Sequence, residues 1–175
     1  MLLDSNDVSL YPRCTTYMKH DLSPTGFKKN RRAIYDAFVK ACGTEKGGIK
    51  ALTWGNEPTV GVARGLMKVN GKEMCGMNPP TFFNQNSGRV LVSSLRVVPL
   101  EQCVADIDII NNKRRFECTL LHEIVHFVRM RNGIIDPDYD LPDTEEPGEQ
   151  FEIWAYGKRL CSQDEIDDAL LSIYP

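Results

Sequence analysis

The sequence has no apolar run approaching membrane-spanning length, so no transmembrane helix is expected. It has no C-x-x-C pair, which argues against a structural zinc knuckle or a thioredoxin-like redox motif. It has no excess of positive charge: 21 Lys and Arg stand against 24 Asp and Glu, for a net charge of -3. Its basic residues are scattered rather than striped, so nucleic acid is not an expected partner. The opening residues, MLLDSNDVSLYPRC, have neither a basic n-region nor an apolar h-region and do not read as a secretory signal peptide. The expectation is a protein that acts where it is made, is exported by another machine, or is a domain of a longer chain. Histidine is scarce, with only His20, His122 and His126.

What is present suits a globular domain. Of the 175 residues, 42% are hydrophobic and 26% charged, enough for one cored domain over residues 1–175. The six cysteines (Cys14, Cys42, Cys75, Cys103, Cys118 and Cys161) are many for this length. Their even number fits disulfides in an oxidising compartment, and several also fit as small buried apolar groups. Residues Gly26 to Cys42 read as a helix with Gly43 as its stop, after an irregular first dozen residues. Thr59 to Val98 reads as a small antiparallel sheet. It contains a hairpin at Asn70-Gly71 and a β-branched strand from Gly88 to Val98. Asn112 to Asn132 reads as a long helix stopped by Gly133. EQFEIWAYGKRLC reads as a second helix, and SQDEIDDALLSI as a short third one opened by a Ser162/Glu165 capping box. The resulting fold class is α+β. The sheet-bearing part lies at about 50–100 and the helices carrying the chemistry at about 112–160.

Two of the three histidines fall in LLHEIVHF, within the long helix. At i and i+4 they lie one above the other, so His122 and His126 can present nitrogens to a single metal. Glu123 is turned aside by about a third of a turn and sits beside the metal, where a general base for a zinc-bound water belongs. Zinc lowers the pKa of water toward about 7 and polarises a carbonyl. Two histidines at i and i+4 with a glutamate between them favour a metal site over two chance histidines on a half-buried helix. The third ligand must come from elsewhere, because HFVRMRNGIID holds no further histidine and His20 reads as a distant loop residue. GEQFEIWAYG is the best source. Glu152, between Phe151 and Ile153-Trp154, is the expected ligand, ahead of Glu149, which suits an exposed first helical turn. Tyr156, four residues on, shares the face of Glu152 and suits hydrogen bonding to an oxyanion, or plain packing.

LLHEIVHF followed downstream by FEIWAYG resembles the zincin-type metallopeptidase toxin domains of bacterial polymorphic and type VI secretion effectors. LTWGNEPTVGVARG, CGMNPPTFF and GRVLVSSLRVV are similar to that group's sheet region, so the likeness runs from about Leu52 to Gly157. It implies a zincin-like fold, zinc held by His122, His126 and Glu152, and Glu123 as base. It also implies a peptide or protein substrate, with the cell envelope among the candidate targets, and an immunity protein or a secretion spike as partner. Delivery without a cleavable signal into a target cell's periplasm would suit both the N-terminus and the cysteines.

Two other readings stand beside the peptidase. One is a non-catalytic zincin-like scaffold that binds a partner; Glu123 argues against it, since a binding module needs no base there. The other is a deformylase-like amide hydrolase with Cys75 as ligand, although EMCGM lacks further residues of that kind. Cys118, four residues before His122, is expected to bridge to Cys161 rather than ligate, because a thiolate in the open position would silence the enzyme. The acidic loop DPDYDLPDTEE is not a calcium site: Leu141 stands where an EF-hand needs glycine, and Pro147 where it needs its bidentate glutamate.

Overall fold

The structure is a computed structural model that describes residues 1–64, 67–69, 72–74, 76–77, 88–134 and 146–160. Strand β1 (Leu2–Leu3) leads into a helical run: α1 (Ser5–Val8), α2 (Pro12–Thr16), a π-helical turn (Tyr17–Asp21), α3 (Pro24–Asn30), α4 (Arg32–Cys42) and α5 (Glu45–Leu52). The strands β2 (Thr59–Ala63), β3 (Met67–Val69), β4 (Lys72–Met74), β5 (Gly76–Met77) and β6 (Arg89–Ser93) follow. Three helices complete the described chain: α6 (Ser94–Gln102), α7 (Asp106–Arg131) and α8 (Pro147–Tyr156).

The α+β class holds, but the sheet is mainly parallel rather than antiparallel. Its order is β1-β2-β6-β5, with β1, β2 and β6 parallel and only β5 antiparallel, to β6. The expectation paired strands with their sequence neighbours. The chain instead returns from β1 to β2 through the whole helical run, and parallel strands require such crossovers. The expected hairpin exists as a separate β3–β4 ladder in which Val69 faces Lys72. That register leaves two residues for the turn, Asn70-Gly71, which lies outside the described residues.

Three further expectations change. The strand from Gly88 ends at Ser93, whose hydroxyl accepts the Leu95 N–H at 3.1 Å and caps α6. This cap, with Val97 and Leu100 buried on the helix, overrides the β-propensity of the Val-Val pair. The helix read from Gly26 to Cys42 is two helices, broken at Arg31 with φ -144° and ψ 56°. The first dozen residues are partly ordered, in β1 and α1. EQFEIWAYGKRLC stays helical only to Tyr156, and Gly157, at φ 78°, ends it. The Ser162 capping-box helix lies outside the described residues.

The long helix α7 begins six residues before its expected start and rises for about 39 Å. Its first turns are exposed, with Ile107 at 62% and Ile110 at 60%, whereas from Phe116 onward it runs through the core. Gly133 ends it as expected: the Ile134 N–H reaches the Arg129 carbonyl and the Gly133 N–H that of Met130, the paired bonds of a Schellman stop. Helix α8 packs between α4 and α7, held by Phe151 edge-on to Phe38 at 6.2 Å, both fully buried. This packing lays the first turn of α8 against the histidines of α7.

Candidate metal centre

The helical spacing brings His122 and His126 together on one face of α7, with ring centroids 5.2 Å apart. Both rings are largely buried, at 14% and 17% side-chain exposure. Glu123, between them in sequence, is only 5% exposed. The third member of the cluster is Glu146, the residue that opens α8. Its carboxylate caps the helix, accepting the N–H groups of Gly148 at 2.8 Å and Glu149 at 2.6 Å. It also meets both imidazoles: Oε1 contacts His126 Nε2 closely, and Oε2 lies 3.4 Å from His122 Nε2. One donor atom each from His122, His126 and Glu146 lie within 4.8 Å of one another, the one metal-binding grouping of three among the described residues.

The electrostatics of Glu146 follow from this position. Burial pushes its pKa up, but the His126 hydrogen bond, the charges of both imidazoles and the Gly148 N–H hold it at about 2. His122 is moved well above its ordinary value. Burial opposes the shift, while the Glu152 hydrogen bond and the charges of Glu146, Glu123 and Glu152 drive it. Two imidazoles and an ionised carboxylate at one point are a donor set that suits zinc and related divalent metals.

The other expected residues fall as follows. Glu152 is buried, at 1% exposure, with Oε1 2.7 Å from His122 Nδ1 and Oε2 accepting the Leu160 N–H at 2.5 Å. Glu149 is turned outward, in an ion pair with Arg159 at 3.0 Å. Tyr156 donates its hydroxyl to Glu117 at 2.8 Å. His20 is exposed in the π-helical turn rather than in a loop. Cys118 is fully buried on α7, and its expected partner Cys161, like Cys75 and residues 136–145 of the acidic loop, lies outside the described residues. Glu146 was not among the expected ligands, because it closes the acidic loop in the sequence. The available signal was Glu-Pro-Gly: proline favours the first helical position, which makes the residue before it a cap.

A His-Glu-x-x-His helix met by a carboxylate from a second helix is an arrangement that could hold a metal ion. Residues 7–157 match the family model of metallopeptidase toxin 3, and the chain belongs to that family. The match extends well upstream of the motif-bearing stretch and takes in the N-terminal helices. Comparison with curated proteins and with solved structures finds no match.

Proposed function

We propose that this metallopeptidase toxin is a zinc-dependent, zincin-like domain that hydrolyses peptide bonds in a target cell, with Glu123 as general base. The observation that carries the reading is the convergence of His122, His126 and Glu146 on one point beside buried Glu123. The metal would be held by His122 Nε2, His126 Nε2 and the Glu146 carboxylate. The sequence expectation put Glu152 in that third place, but its two oxygens engage His122 Nδ1 and the Leu160 N–H. A bound zinc supplies Lewis acidity toward water and the scissile carbonyl. Glu123 takes the proton of the attacking water and returns it to the departing amine nitrogen, a role worth about 10²–10⁴ in rate.

Membership of a toxin family supports a protein substrate and an exported effector; an immunity protein protecting the producer belongs to the same reading. Among the described residues no helix is long and apolar enough to cross a membrane. Delivery by a type VI or similar machine into the periplasm fits these features, and the whole of residues 1–175 would then act as one domain.

The test uses zinc-loaded protein and Glu123→Gln, each incubated with a denatured bacterial envelope extract, with new peptide amino termini read by mass spectrometry. Cleavage by the wild type, reduced at least about a hundredfold in a variant that keeps its zinc, is expected. Equal cleavage by both proteins would remove Glu123 from the chemistry. No cleavage by either, with toxicity intact in both, would favour the partner-binding scaffold.

A further inference from the structure

We infer that Glu152 is a positioning residue that fixes the His122 imidazole, and that it does not touch the metal. The inference rests on the reading of His122, His126 and Glu146 as the metal centre. An imidazole has two nitrogens on opposite sides of its ring, and the partner of one decides which proton state the other offers. Glu152 Oε1 sits 2.7 Å from His122 Nδ1, on the far side of the ring from Nε2, which faces Glu146. An oxygen on the Nδ1 side cannot also ligate a metal on the Nε2 side. It can accept the Nδ1–H, which leaves the Nε2 lone pair for the metal and raises its basicity.

Three constraints make this a clamp. The second Glu152 oxygen accepts the Leu160 N–H, so the chain beyond Gly157 folds back and fixes the carboxylate in rotation. Leu160 is itself buried, at 6% exposure, which anchors that return. On the ring's other side lies Gly148: a Cβ there would stand 2.5 Å from His122 Cδ2 and Nε2. The ring is therefore held edge-on by Glu152 and covered by bare backbone, both from α8, the helix whose cap is Glu146. One helix supplies the third ligand and aligns the first.

The experiment compares wild type, Glu146→Ala and Glu152→Gln for zinc affinity by chelator competition and for the visible spectrum of the cobalt(II) form. Circular dichroism checks the fold. Glu152→Gln is expected to bind one zinc about 10–100-fold more weakly, with cobalt bands unchanged in position and intensity, because the donors are the same. Glu146→Ala is expected to alter those bands or lose the metal. The inference is overturned if Glu152→Gln changes the cobalt spectrum while Glu146→Ala does not, or if Glu152→Gln binds zinc as the wild type does. Should Glu152→Gln fail to fold, ¹⁵N imidazole NMR of the zinc-loaded wild type decides. Coordination of His122 through Nε2 with a protonated Nδ1 supports the clamp, and coordination through Nδ1 overturns it. A wild type that takes up neither zinc nor cobalt would instead defeat the proposed zinc chemistry itself.

Discussion

At position 117 a carboxylate with no exposed surface meets three donors from three separate segments. Glu117 Oε2 accepts from the Tyr17 hydroxyl and pairs with Arg31, both at close range, and Oε1 accepts from Tyr156 at 2.8 Å. Burial raises the pKa of Glu117, and the Arg31 charge with the three hydrogen bonds works against that rise. A phenol has a single proton to donate, and that of Tyr156 goes to Glu117. Tyr156→Phe is expected to cost about 1.5–3 kcal/mol in urea denaturation, the range for a hydrogen bond to a charged group, and to leave zinc content intact. Unchanged stability with a large loss of turnover would return Tyr156 to the oxyanion role that its spacing from Glu152 suggested.

At the scale of the element, α8 combines two demands that usually conflict. Its first turn needs a helix former, yet it carries Gly148, a residue that costs about 1 kcal/mol relative to alanine within a helix. Space explains the choice, since the backbone there lies against the His122 ring. Gly148→Ala would favour the isolated helix while pushing His122 away from Glu146. Zinc affinity is expected to fall at least about tenfold with helix content unchanged, as read by chelator competition beside far-ultraviolet circular dichroism. Wild-type affinity in this variant would mean that the ring yields, and that Glu152 alone does not hold it. The cap residue Glu146 shows the same economy, because the helix N-terminus that it satisfies also favours its negative charge.

At the scale of the whole molecule, the Glu117 cluster joins the N-terminal helices to α7 and α8. Arg31 comes from the break between α3 and α4, Tyr17 from the π-helical turn, Tyr156 from the end of α8 and Glu117 from α7. Because the pKa of Glu117 is raised on folding, its contribution to stability is fully present below its unfolded value and is lost as pH rises through the folded one. Arg31→Met removes the cation that opposes this rise and so extends the loss toward neutral pH. The variant is expected to be about 2–3 kcal/mol less stable than wild type near neutrality. This is below the usual cost of breaking a buried pair, because the Arg31 side chain is 31% exposed. The deficit should shrink in mildly acidic solution, where Glu117 takes up a proton. Parallel urea titrations at the two pH values would read it, and a constant deficit would show that Arg31 acts by packing alone.

The sequence by itself determined the features that depend on neighbours along the chain. The pairing of His122 with His126 and the placing of Glu123 beside them follow from helical periodicity, and the stop at Gly133 from the need for a left-handed residue. The β3–β4 register was likewise legible from Asn70-Gly71. Even the burial of Glu152 could be read from its apolar flanks. Tertiary structure decided whatever required distant segments to meet. Parallel pairing of β1 with β2 depends on a crossover through five α-helices, and that of β2 with β6 on a return past β3–β5, which no local pattern encodes. The break at Arg31 answers to a carboxylate 86 residues away. The placing of Glu146 and Glu152 around His122 depends on how α8 lies across α7: six residues apart on or beside one helix, they approach opposite nitrogens of the same ring. Spacing along a helix fixes which residues share a face, but only the packing of one helix on another fixes which side of an imidazole each will reach.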